Sequence, residues 1–228
     1  MKSGFVDLTA DAGFRVDNIL VEGRNNISRQ EILSRLGFDK GDPLLSVDPD
    51  RVLARLDDIS WLKTANLQIR YPDTVYIRIQ ERAPLAIWHD GAGLSVIDGE
   101  GVVLTKNSLA RFAHLPVVTG NDANRNALEL ITLLRAEPVV FERLEAAAFI
   151  GKRRWDLKLE NGLIIHLPED DIGLSLRRLA REQNRKQLLD KDILSIDTRY
   201  EDRLIIKTKP GAVQTIRTRM PTKDQTNI

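Results

Sequence analysis

The stretch Ser60–Trp88, SWLKTANLQIRYPDTVYIRIQERAPLAIW, constrains this chain more than any other. Ala65, Leu67 and Ile69 alternate with Asn66, Gln68 and Arg70, and then Val75, Ile77 and Ile79 alternate with Tyr76, Arg78 and Gln80. Apolar residues at every second position define a strand with one buried and one wet face. Between the two runs stands Tyr71-Pro72-Asp73-Thr74. Proline fixes φ there and the aspartate carboxylate can bond its own backbone, so a turn is predicted. Pro84 lacks an amide donor and ends the second strand.

Upstream, Val16, Ile19 and Val21 predict a strand over Phe14–Val21, with a bulge between Val16 and Ile19 where strict alternation fails. Ser28-Arg29-Gln30-Glu31 is a capping box, flanked by Ile27 and Ile32 at the positions of a hydrophobic staple. Gly37 is the matching left-handed C-cap. After the loop Gly41-Asp42-Pro43-Leu44-Leu45, Asp48-Pro49 opens a second helix, with Val52, Leu53 and Leu56 as its buried stripe. The order strand, helix, helix, strand, strand makes a small α+β layer.

A second block starts at Pro84. Short strands are expected at Leu85–His89, Gly93–Ile97 and Val102–Leu104, with Asp90-Gly91 and Asp98-Gly99 as turns. Pro116-Val117-Val118 is a further apolar run, and Ala127, Leu130, Ile131 and Leu134 recur at helical spacing. Strands at 145–150, 154–160 and 163–167 follow, the last two joined by Asn161-Gly162. Glu169-Asp170-Asp171 precedes a helix reaching about Leu189, where carboxylates complement its dipole. Strands at Ile193–Tyr200 and Leu204–Thr208 close the block. The expected division is a linker (1–13), a first domain (14–83), a second domain (84–208) and a tail (209–228), in which Val213–Ile216 could add one more strand.

Several function classes are disfavoured by what the chain lacks. It has no cysteine, so thiol catalysis, disulfides and thiolate metal sites are excluded. No apolar run approaches the roughly 18 residues of a membrane span. His89, His114 and His166 stand far apart, without partners at metal-ligand spacing. The phosphate-binding, dinucleotide and nucleophile-elbow glycine motifs are missing. Neither an enzyme nor a metal or other cofactor is expected. Net charge is only +1, yet residues 151–228 hold 17 Lys and Arg against 12 Asp and Glu. Within that third, Arg177, Arg181 and Arg185 recur at four-residue spacing. Such a stripe fits an acidic partner or, with Glu182 and Lys186 beside it, an ordinary solvated face.

Taken in order, Trp61-Leu62, Ala65, Tyr71-Pro72-Asp73-Thr74, Ile79-Gln80-Glu81-Arg82-Ala83-Pro84 and Trp88 resemble the polypeptide-transport-associated (POTRA) domain of the FtsQ/DivIB family of bacterial cell-division proteins. Upstream, Gly23, Glu31-Ile32, Leu36-Gly37 and the 41–45 loop agree. Downstream, Arg153-Arg154-Trp155-Asp156-Leu157, Asn161-Gly162, Leu167-Pro168 and Ile196-Asp197 with Arg199 resemble the domain that follows POTRA in that family. The resemblance covers residues 14–208. It implies an α+β protein: POTRA (β-α-α-β-β), then an elongated β-rich domain with helices packed on an antiparallel sheet. It also implies a periplasmic scaffold at the division septum, with no enzymatic activity, held by a membrane helix upstream of these residues.

The implied partners are FtsB and FtsL as a complex. FtsB would add a strand to the C-terminal sheet edge, where the last strand leaves backbone groups unpaired. On this resemblance Arg199 and Tyr200 begin the contact surface, and Arg203, Leu204, Ile205, Ile206, Lys207 and Thr208 supply the edge. Lys152, Arg153 and Arg154 lie near it to meet acidic groups, while Trp155 is core. Two rival readings are a protein-transport module, since POTRA domains also precede outer-membrane barrels, and a binder of envelope polymer or nucleic acid through the basic third. One POTRA copy without a barrel, and no interleaved exposed aromatics, count against them.

Overall fold

The computed structural model describes residues 14–200 and 202–209. Contacts divide the chain into two units, one running through Pro84 and including Val102–Asn107, the other holding Leu85–Gly101 and continuing from Ser108. Val213–Ile216 lies outside the described residues.

In the first unit, strand β1 (Asn18–Glu22) leads to helices α1 (Arg29–Leu36) and α2 (Pro49–Leu56), then strands β2 (Leu62–Arg70) and β3 (Thr74–Glu81). The sheet order is β1-β3-β2, with β1 parallel and β2 antiparallel to the central β3. Register sets Ala65 opposite Ile79, Leu67 opposite Ile77 and Ile69 opposite Val75. That face meets Ile32, Leu36, Val52 and Leu56 from the helices in one core. Each such aliphatic side chain contributes about 1.5–3 kcal/mol by leaving water. Tyr76 breaks the alternation: it stands on the wet face yet is only 3% exposed. The Arg70 guanidinium lies 3.7 Å over its ring, and its hydroxyl donates to Glu22 while accepting from Arg78. Its burial comes from long neighbouring side chains, not from the core.

The strand expected from Phe14 starts four residues later. Residues 14–16 pair with the 41–44 loop instead: Val16 donates to Asp42, Gly41 to Val16 and Leu44 to Phe14, each at 2.9 Å. The amides of Asp17 and Asn18 then both reach the Asp73 carbonyl, and β1 begins. The irregular spacing from Val16 to Ile19 therefore marks a change of partner rather than a bulge.

Helix ends follow the caps. Ser28 Oγ accepts from the Glu31 amide at 3.1 Å, and Asp48 Oδ1 accepts from the amides of Asp50 and Arg51. Gly37 ends α1 at φ +72°, and Arg55 of α2 donates to the Leu36 carbonyl at 2.9 Å. A methyl group at position 37 would fall 1.4 Å from the Arg55 Nη1. At the end of β3, the Glu81 carboxylate accepts from the amides of Asn25, Asn26 and Ile27 at 2.6–2.9 Å. This anion, clasped by successive amides, ties the sheet to the approach to α1.

The other strands are β4 (Pro84–His89), β5 (Leu94–Asp98), β6 (Val103–Thr105), β7 (Val117–Thr119), β8 (Leu144–Ile150), β9 (Arg154–Leu159), β10 (Ile164–His166), β11 (Ile193–Asp197) and β12 (Ile205–Thr208). They form one sheet in the order β12-β11-β10-β9-β8-β7-β4-β5-β6. The helices are α3 (Ala123–Arg135), α4 (Pro138–Phe141) and α5 (Ile172–Lys186). The antiparallel sheet expected from the sequence is in fact mixed: β4–β7, β7–β8 and β10–β11 run parallel. The cause lies in the connections. Helices α3 and α4 carry the chain from β7 to β8, and α5 carries it from β10 to β11, and a crossover returns the next strand in the same direction.

The carboxylates before α5 stand at its N-terminal end as expected, without a side-chain capping bond: the Asp171 carbonyl accepts from Leu174 and Ser175, and Glu169 sits 3.8 Å from Arg153. One further expectation changes. Strand β11 ends at Asp197 rather than Tyr200, because the chain turns there.

Candidate functional site: the terminal sheet edge

Strand β12 stands at one end of the sheet order, paired with β11 alone among the described residues. The turn that brings it there is built by three residues. Asp197 accepts from the Arg199 amide (3.0 Å) and from its Nε and Nη2 (2.8 and 2.5 Å). Thr198 sends both amide and hydroxyl to the His166 carbonyl. The hydrogen bond to Asp197 pushes the Arg199 pKa above its ordinary value. The Asp197 carboxyl is held below its usual range chiefly by the same guanidinium, against partial burial that acts the other way.

Which backbone groups face outward follows from the register. The Lys209 amide donates to the Asp192 carbonyl, across β11, whereas the Thr198 amide points to β10. Backbone groups along a strand alternate sides. Asp197–Ile205 and Ser195–Lys207 are therefore the hydrogen-bonded pairs, and the irregularity between Ile193 and Ser195 belongs to β11. Ile206 and Thr208 thus turn their amides and carbonyls to the open edge. Ile205 (45%) and Ile206 (42%) are exposed on opposite faces of the strand. On one face, Ile206 and Leu204 share a groove with Arg178, Glu182 and Lys186 of α5.

The residues singled out from sequence fall into separate places. Arg153, Arg199 and Tyr200 share a cleft with Arg154, Leu174 and Arg178. Arg203 lies outside that cleft, with its guanidinium 5.1 Å over the Tyr200 ring. Leu204 and Ile206 face the α5 groove, and Ile205 and Lys207 occupy the other face of β12. Lys152 does not line that cleft: its Nζ is 2.7 Å from Asp122, in a recess with Trp88 and Asp90, and it shares a further recess with Arg153, Trp155 and Glu169. Sequence reading missed Arg178, which lines both the cleft and the groove and donates to the Tyr200 carbonyl at 3.2 Å. The signal was its place off the arginine stripe and next to buried Leu179. Within the cleft, Arg154 Nε is buried without a hydrogen-bond partner among the described residues.

Of the histidines, His166 lies 3.0 Å from Asp156, and His89 and His114 are exposed. Among the described residues no helix is long and apolar enough to cross a membrane.

A β-α-α-β-β unit followed by a β-rich unit with an open terminal edge defines a POTRA-bearing protein. Residues 14–82 match the FtsQ-type POTRA domain, and residues 86–199 match the C-terminal domain of cell division protein FtsQ/DivIB. The chain is 36% identical over 203 residues to cell division protein FtsQ of Bradyrhizobium diazoefficiens, covering 89% of this chain and 59% of that protein. It is 33% identical over 213 residues to the Caulobacter vibrioides FtsQ (93% and 70%), and 32% over 199 residues to that of Rickettsia felis (87% and 74%). The chain belongs to the FtsQ/DivIB family of cell division proteins. It spans about three fifths of the length of the Bradyrhizobium relative.

Proposed function

We propose that this chain is the periplasmic part of a non-enzymatic scaffold of the division septum, anchored to the inner membrane by a single helix of the full-length protein, and that it binds FtsB, paired with FtsL, by strand addition to β12. Through that complex it helps recruit septal cell-wall synthesis. The carrying observation is the pair of outward amide and carbonyl sets at Ile206 and Thr208, set between exposed Ile205 and Ile206 side chains. An added strand bonds those groups, while Ile206 and Leu204 receive an apolar side chain in the α5 groove. Arg153, Arg154 and Tyr200 at the turn end take acidic or carbonyl groups of the incoming segment. POTRA serves further contacts near the membrane.

The test is titration of this chain with the periplasmic FtsB segment of the same organism, alongside Ile206→Pro and Ile206→Ala. Ile206→Ala keeps the outward donor and weakens binding only through lost apolar contact. Ile206→Pro removes the donor on the open side, where proline is tolerated by the sheet. Its affinity is expected to fall at least about tenfold below that of the alanine variant. Unchanged circular dichroism keeps the comparison clean. Equal binding by all three proteins places the partner elsewhere.

A further inference from the structure

We propose that the solvent face of α5 is a second docking surface, one that takes a helix of a protein partner carrying carboxylates in line at four-residue spacing. Arg177, Arg181 and Arg185 are all exposed on this 15-residue helix. Eight residues at 1.5 Å rise make a row of about 12 Å. The opposite face is fully committed, with Leu176, Leu179, Ala180 and Gln183 buried in packing. Three neighbouring cations are engaged: Lys186 lies 3.1 Å from Glu182, Arg178 bonds the Tyr200 carbonyl, and Arg153 approaches Glu169. The row is not. Arg177 and Arg181 form no ion pair among the described residues, and Arg185 reaches only Glu182, at 3.9 Å.

Like charges four residues apart oppose the helix that carries them. A ligand with negative charge at the same spacing removes that repulsion. Arginine, rather than lysine, at all three places favours carboxylates, which its planar fork meets with two parallel bonds. Leu174, 55% exposed and three residues before Arg177, ends the row with an apolar contact. The face has no tryptophan, tyrosine or phenylalanine, the anchors of an interfacial membrane site. A straight charged row with an apolar end matches a second helix better than a lipid plane. This surface adjoins the turn-end cleft at Leu174, but Arg177, Arg181 and Arg185 line neither that cleft nor the β12 groove, so loss at the arginine row and loss at Ile206 are distinguishable.

Three probes decide it: a synthetic helical peptide with glutamates at i, i+4 and i+8, a peptide of the same composition with the glutamates scattered around the helix, and phosphatidylglycerol vesicles. The proteins are the unaltered chain, the double variant Arg177→Ala/Arg181→Ala, and Ile206→Pro. The in-line peptide is expected to bind the unaltered chain and Ile206→Pro alike, and to lose at least about tenfold in affinity with the double variant. The scattered peptide should bind about tenfold more weakly than the in-line one. Both variants keep exposed, helix-compatible or edge-compatible residues, and circular dichroism checks the fold. The proposal is overturned if both peptides bind equally, if the double variant binds like the unaltered chain, or if only the vesicles bind.

Discussion

Trp155→Ala is expected to destabilise the second unit by about 3–5 kcal/mol, the usual cost of emptying a large aromatic site. Trp155 lies in β9 at 3% exposure, directly across the register from Phe149 of β8, with ring centroids 4.7 Å apart and planes tilted 39°. An aromatic pair of this kind adds about 0.5–1.5 kcal/mol beyond the area it buries. The strand behind Trp155 continues as Leu157 and Leu159, both fully buried, so the hole cannot close by shifting one neighbour. Urea unfolding followed by amide exchange in β8 and β9 checks the value. A loss below about 1 kcal/mol would mean that the site collapses around the gap, contrary to the packing described.

Glu81→Ala should cost the first unit roughly 2–4 kcal/mol, because three amides lose one charged acceptor. Partial burial pushes the Glu81 pKa up, but the hydrogen bonds from Ile27, Asn26 and Asn25 outweigh it, and the carboxyl is held below its usual 4.5. The direction of the pH effect follows. A group whose pKa falls on folding stabilises the fold above its unfolded pKa, and that contribution is lost as pH drops through the folded value. Stability of the first unit should therefore decline on acidification below about pH 4.5, and the decline should be shallower in Glu81→Gln. Amide exchange at Asn25, Asn26 and Ile27, measured across that range in both proteins, reads the effect locally. Parallel slopes in the two proteins would remove Glu81 from the account.

Much of the first unit was legible because its signals are local. Ser28, Gly37 and Asp48 cap the helices that they mark, and the alternation at 65–70 and 75–80 gives the buried face of β2 and β3. What was not legible depends on partners distant in sequence. Tyr76 is buried by Arg70 and by Glu22, a residue of another strand. Residues 14–16 leave the sheet because a loop almost 30 positions later offers closer bonds. In the second unit, strand direction was lost although the helices between strands were visible, since the crossover they imply was not followed through. The terminal place of the last strand in the sheet was legible, but not which of its amides face out. Ile205 faces β11, so a proline there would break the sheet rather than probe its free side.

Gly37 and Arg55 occupy one place between them. The space a side chain would need at 37 is already filled by the guanidinium that closes the end of α1. A side chain at 37 would be strained at φ +72° and would displace that guanidinium, so the two positions are coupled. A lineage that acquired alanine at 37 would first expel the arginine, leave the Leu36 carbonyl bare and weaken α1. Only afterwards would a shorter residue at 55 become neutral. Relatives that differ at one of these sites should differ at the other, so that the coupling of α1 to α2 through Arg55 is readable in sequence comparison.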